Sequence, residues 1–142
     1  MELFVIGPTR GIYTTWQNAN SSVFILKYGN NKFMFTGDTP GEYMNATKFL
    51  ENAKSFNMDI DIDVLKCPHH GYDDSKMANS FFEAATPKYT IVPRYYCSST
   101  WPTGTIKKQL ENYGVKHYEV CQNQGIYLES DGNTISIKEI AN

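Results

Sequence analysis

A chain of 142 residues is the ordinary size of one domain, and 41% apolar with 14% aromatic content excludes global disorder. A formal net charge of -2, with Lys107-Lys108 the only adjacent basic pair, excludes a basic footprint for nucleic acid. No apolar run reaches the ~18 residues that suggest a membrane span, and no signal-peptide core follows Met1, so a cytoplasmic location is expected unless the chain is excised from a larger protein, where the location is open.

The elements follow in chain order. Leu3–Ile6 reads as a strand stopped by Gly7-Pro8. Arg10–Asn20 is polar and reads as a loop, with Tyr13 and Trp16 isolated in it. Ser22–Tyr28 and Lys32–Thr36 flank Gly29-Asn30-Asn31 and predict a hairpin. Between Glu42 and Lys54 the apolar positions Tyr43, Ala46, Phe49, Leu50 and Ala53 recur at helical spacing. Ile60–Cys67 predicts a buried strand ended by Pro68.

Ser75–Ala85 then predicts a helix with Ser75 as its N-cap, closed by Pro87. Tyr89–Val92 is a short strand, Arg94–Pro102 a loop, and Thr103 or Thr105 caps a helix running to Asn112. Gly114 stands where a helix C-terminus needs a left-handed residue. Val115–Val120 is a strand, and Gly125–Glu129 with Thr134–Ile140 forms a last hairpin. Strands alternating with helices, without a linker or repeat, predict one α/β domain over residues 1–142.

Three strand ends carry polar chemistry: Thr36-Gly37-Asp38, Pro68-His69-His70-Gly71, and the loop beginning at Arg94. If their strands run parallel, the three converge at one sheet edge, where function collects in open α/β sheets. A strand-end carboxylate and an imidazole together suit zinc or manganese. The alternative is that Asp38 caps the helix beginning near Glu42 or binds backbone amides in the turn. Adjacent side chains diverge on an extended strand, so one of His69 and His70 is expected to be a ligand and the other to support it; the sequence does not order them. Cys67 is either a soft third ligand or a cysteine facing the core, and the second fits its neighbours better. His117 reads as a polar strand residue and Lys107-Lys108 as a solvated helix face. Cys67, Cys97 and Cys121, without a CxxC pair, read as reduced thiols.

Phe35-Thr36-Gly37-Asp38 followed by Asp63-Val64-Leu65-Lys66-Cys67-Pro68-His69-His70-Gly71 resembles the metallo-β-lactamase-fold hydrolases, above all the hydrolase domain attached to competence channel proteins of the ComEC type. The resemblance runs from about Asn20 to the last hairpin and implies the second half of an αββα sandwich: a mixed sheet of six or seven strands with helices mainly on one face. It implies that Asp38 is a metal-bridging, catalytic aspartate and that His69 or His70 is the last histidine ligand. It further implies that Ser75 matches a serine that commonly follows the turn, near substrate, and that Arg94 borders substrate and could contact an anion.

The departures decide the expected activity. The family's N-terminal His-x-His-x-Asp-His motif is missing, because no histidine precedes Asp38. Thr100-Trp101-Pro102 stands where relatives often have Gly-His-Pro, and an indole is neither acid, base nor ligand. Catalytic zinc takes about three protein ligands, so Asp38 and one histidine would hold zinc or manganese weakly or not at all. The expected function is therefore a fragment of a metal-dependent hydrolase of phosphodiester or related ester bonds, inactive alone. The alternative is a non-catalytic scaffold for interaction or assembly. Either way the sheet face carrying Phe24, Leu26, Phe33 and Phe35 is expected to need cover from the missing first half or a second copy of the chain, with Tyr13 and Trp16 as local cover.

Overall fold

Strand-forming residues on both sides of Gly29-Asn30 close a tight hairpin between Val23–Tyr28 (β2) and Asn31–Phe35 (β3). Gly29 makes the turn with φ +59°, a conformation that favours glycine. Glu2–Gly7 (β1) adds to β2, again antiparallel. In this computed structural model, which describes residues 1–8, 16–44, 46–93, 104–120 and 124–141, the sheet then turns parallel. Val64–Lys66 (β4), Tyr89–Pro93 (β5) and Lys116–Val120 (β6) complete the order β1-β2-β3-β4-β5-β6. The crossovers between the parallel strands contain Ala46–Lys54 (α1), Asn79–Ala85 (α2) and Gly104–Asn112 (α3). Gln124–Ser130 (β7) and Ile135–Ala141 (β8) form a separate two-stranded sheet.

The period-2 alternation of the strands separates two faces. Ile6, Val23, Ile25, Met34, Leu65 and Val92 point to the helices and are buried with Phe49, Phe81, Phe82, Ile106 and Leu110. Burying each of these large apolar side chains stabilises the fold by about 1.5–3 kcal/mol before entropy is counted. The register places Leu3, Val5, Phe24, Leu26, Phe33, Phe35, Val64 and Ile91 on the opposite face. No α-helix covers that side among the described residues. The β7–β8 hairpin reaches over part of it, and a groove of about 380 Å³ lies between Ile126 and Leu128 of β7 and Phe33, Val64 and Ile91 of the sheet.

The hairpin tip is fastened at the β2–β3 turn. Asn30 N–H donates to the Gly132 carbonyl at 2.6 Å, Asn30 Nδ2 donates to Asn133 Oδ1 at 2.8 Å, and Ser130 Oγ donates to Asn31 Oδ1 at 2.8 Å. The backbones approach so closely that a Cβ on Gly29 would lie 2.5 Å from the Gly132 oxygen.

The mixed α/β sheet with helices mostly on one face agrees with the sequence reading, and four elements correct its details. The strand expected over Ile60–Cys67 is only Val64–Lys66, because Ile62 N–H is taken by the Ala85 carbonyl rather than by a neighbouring strand. The helix expected from Glu42 is a 3-10 turn at Gly41–Tyr43 followed by α1, because Gly41 is pressed against the backbone of Ser75 and Lys76. Ser75 is not an N-cap: α2 starts at Asn79, with Ala78 before it. Thr105 lies within the first turn of α3 rather than capping it, and Thr103 lies outside the described residues. Gly114, at φ +66°, ends that helix as expected. No helix among the described residues is long and apolar enough to cross a membrane.

Candidate functional site

The polar ends of β3, β4 and β5 meet because these strands are adjacent and parallel. After β3 the chain turns through Gly37, at φ +54°, and the turn is tied down from both sides. Thr36 Oγ1 donates to the Lys66 carbonyl at 3.0 Å, and Asp38 N–H donates to Ser21 Oγ at 3.2 Å. The Asp38 carboxylate is left half-exposed at the sheet edge.

Beyond β4, Pro68 ends the ladder, and His69, His70 and Gly71 take left-handed conformations at φ 42°, 55° and 78°. For the two histidines this costs on the order of 1–3 kcal/mol each, so the surroundings must enforce it. Ser75 does much of that. It is fully buried, and its Oγ lies 2.7 Å from the Pro68 carbonyl and 3.3 Å from that of His69. The hydroxyl expected near substrate is thus committed to the backbone of the histidine turn.

The bent turn, rather than alternation along a strand, sends the two imidazoles apart. His69 Nδ1 is 2.8 Å from Asp74 Oδ2, and its Nε2 is 3.1 Å from Asn18 Nδ2. The carboxylate accepts and the amide donates, so both ring nitrogens are engaged. His70 Nδ1 is 3.0 Å from the Pro93 carbonyl, and its Nε2 is 3.0 Å from Asp38 Oδ1. A carbonyl only accepts, so Nδ1 carries the proton and a neutral His70 presents the Nε2 lone pair to Asp38. Two acceptors at that distance require a shared cation, either a proton or a metal ion.

Among the described residues, Lys66 is the cation paired with Asp38. Leu65 points to the helices, so Lys66 points to the open face, where its Nζ donates to the Gly37 carbonyl and lies 3.6 Å from Asp38 Oδ1. Burial pushes its ammonium below the usual lysine value, and the charge of Asp38 opposes that shift.

Asp38 and His70 are therefore the pair that the structure brings together, with His69 and Ser75 supporting the turn. Arg94, Trp101 and Tyr13 lie outside the described residues. Cys67 is fully buried in the core on the helix side, and His117, opposite Thr90, lies on the same side. Trp16 packs edge-on against Tyr43 at 6.2 Å, on the helix side and not on the open face it was expected to cover. Lys66 is a site residue that the sequence reading does not single out; alternation along β4 turns it outward beside Asp38. Asn18, fifty-one residues from His69, carries no sequence signal for its contact.

Among the described residues no group of three or more His, Cys, Asp or Glu side chains is placed to hold a metal ion. Asp38 and His70 supply one carboxylate and one oriented imidazole, donor types that zinc and manganese accept. A scan of protein-family models and a search of curated proteins both return no match.

Proposed function

We propose that this chain is the C-terminal half of a metal-dependent hydrolase domain for phosphodiester or related ester bonds, and that it is inactive until further donors join Asp38 and His70. The observation carrying this reading is the 3.0 Å approach of the Asp38 carboxylate to a His70 nitrogen whose tautomer the Pro93 carbonyl holds. The apolar sheet face beside the pair, which no α-helix among the described residues covers, supports a partner there, either a first half-domain or a second copy. Asp38 would bind or bridge the ion, and His70 would supply a neutral nitrogen. Ser75 and His69 would keep the turn in shape, and Arg94 would meet the anionic substrate. A bound zinc or manganese ion would lower the pKa of its water to make a nucleophile.

The test is elemental analysis of the untagged protein after zinc or manganese loading, combined with bis-p-nitrophenyl phosphate turnover. The assay is run alone and with a separately produced half-domain bearing His-x-His-x-Asp-His. Weak metal and no turnover alone, with turnover on mixing that Asp38→Ala and His70→Ala abolish, is the expected result. Near-stoichiometric metal and turnover by the chain alone would overturn the half-site reading, and so would mixing without effect.

Lys66 favours a second reading. An ammonium 3.6 Å from Asp38 already answers part of its charge and opposes a divalent ion, as a non-catalytic scaffold for assembly would tolerate. Lys66→Met separates the two: metal uptake rises if the pair is a half-site and stays absent if it is scaffold.

A further inference from the structure

We propose that the groove under the β7–β8 hairpin binds the apolar arm of an uncharged carboxylic ester, whose carbonyl oxygen meets the Lys66 ammonium beside Asp38 and His70. The inference rests on the hydrolase reading and names a substrate class within it.

The groove is a cleft with two walls of the chain's own making. Its floor is the buried pair Phe33 and Val64 with Ile91, and its roof is Ile126 and Leu128 of β7. The hairpin tip is bonded to the β2–β3 turn, so roof and floor are held in register with each other. A volume of about 380 Å³ falls in the range of small-molecule sites. Every residue that lines it is apolar except Lys66, which is the usual make-up of such sites: an apolar body with one polar anchor. Leu3 and Val5, both more than half exposed, lie on β1 and outside the groove, so that part of the face remains for a partner half.

One end of the groove is the candidate site. Phe35, Lys66 and Pro93 line it and stand at the carboxyl ends of the adjacent parallel strands β3, β4 and β5. The Pro93 carbonyl holds His70, and the Lys66 ammonium lies 3.6 Å from Asp38. A ligand lying along the groove therefore brings its polar end to the pair. A lysine suits this position because its methylene stem joins the apolar wall while its ammonium stays at the rim. That ammonium has three N–H donors, and the Gly37 carbonyl takes one, which leaves a donor for an ester carbonyl. Asp38 sets the charge of the head. It cancels the charge of Lys66, so a free carboxylate or a phosphodiester meets a like charge that the two side chains together do not offset. An uncharged ester needs only the donor.

Methyl-detected NMR titration of the full chain with methyl octanoate tests the proposal without metal and without turnover. Saturable shifts of the Val64, Ile91, Ile126 and Leu128 methyl groups are expected, and none with methyl acetate, which has the head without the arm. Octanoate and methyl octyl phosphate should bind about tenfold more weakly. Ile126→Trp, which fills the groove from the hairpin, should abolish the shifts, and Leu128→Trp repeats the test from the next lining position. Tyr127→Ser, on the outer side of β7, should leave them unchanged. Lys66→Met should weaken methyl octanoate about tenfold. Circular dichroism of each variant confirms that it is folded. Shifts that survive both tryptophan variants overturn the groove as the site. Octanoate or methyl octyl phosphate binding as tightly as methyl octanoate overturns the uncharged head. No shift with methyl octanoate overturns the inference and leaves the hydrolase reading to the mixing assay. Binding as expected, with no turnover of any ester by the mixed halves, overturns the hydrolase reading and leaves the groove a ligand site.

Discussion

Two aspartates frame the β3–β4 pair, one at each end, and their surroundings are opposite. At the end where β3 begins, Asp63 is almost wholly buried and saturated with donors. Lys88 Nζ donates at 2.7 Å, Lys32 N–H at 3.0 Å and Asn31 Nδ2 at 3.5 Å. At the other end Asp38 is half-exposed, with His70 Nε2 at 3.0 Å and the Lys66 ammonium at 3.6 Å. A fold gains stability from the first arrangement. The second leaves a carboxylate with open acceptor positions at a sheet edge, as the proposed half-site requires.

Substitution separates the two ends most sharply. Asp63→Ala strands the Lys32 N–H, leaves the Asn31 amide only its 3.3 Å bond to the Asn133 carbonyl, and is expected to cost about 1–3 kcal/mol in urea unfolding. Asp38→Ala, at a half-exposed site, should change stability by no more than about 0.5 kcal/mol in the absence of metal. Equal losses at both positions would end the contrast between the two carboxylates.

Ser75→Ala attacks the carboxyl-side end from within. It removes the buried hydroxyl that holds the left-handed histidine turn, and a loss of about 1–2 kcal/mol is expected. The chemical shifts of the His70 ring should move as well, because the turn relaxes and the approach to Asp38 lengthens. Ring resonances that stay in place while stability falls would show that the turn does not depend on Ser75 for its shape.

The pH dependence is the gentlest probe. Burial alone would raise the Asp63 pKa, but the Lys88 ammonium and the Lys32 and Asn31 hydrogen bonds more than offset it and hold the carboxyl below its ordinary value. A folded-state pKa below the unfolded one stabilises above the ordinary carboxylate range and loses that contribution as the pH falls through it to the lower folded-state value. Urea midpoints measured across this acid range should therefore decline, and Asp63→Asn should flatten the decline. An unchanged slope in Asp63→Asn would assign the acid sensitivity to other carboxylates.

Local sequence signals made most elements legible. Gly29-Asn30 closes its hairpin and Gly114 ends its helix because turn and cap chemistry act over a few residues. That Asp38 meets the His69-His70 turn was also legible, since both follow strands and parallel order brings strand ends together. What escaped were contacts made by folding. Ser75 reads locally as a helix cap, but in space it serves a turn several residues upstream. His69 and His70 look equivalent in sequence, and only the left-handed turn, the Pro93 carbonyl and Asn18 separate them. Gly41 breaks a helix that apolar spacing would have extended, because Lys76 crowds it from a distant segment.

The clasp between the β2–β3 turn and the β7–β8 tip joins residues 103 positions apart in Asn30 and Asn133. Such a closure carries a large loop entropy, so it forms late, after the parallel strands between its ends have assembled. An interaction absent from the folding transition state governs how fast the native state is lost and barely affects how fast it is reached. Gly29→Ala, which puts a methyl group against the Gly132 carbonyl at a left-handed position, should therefore accelerate unfolding in stopped-flow experiments with little change in the refolding rate. A matching drop in refolding rate would place the clasp in the nucleus. On this account the two turns act as the kinetic lock of the domain, setting the lifetime of a fold whose stability lies mainly on the other side of the sheet.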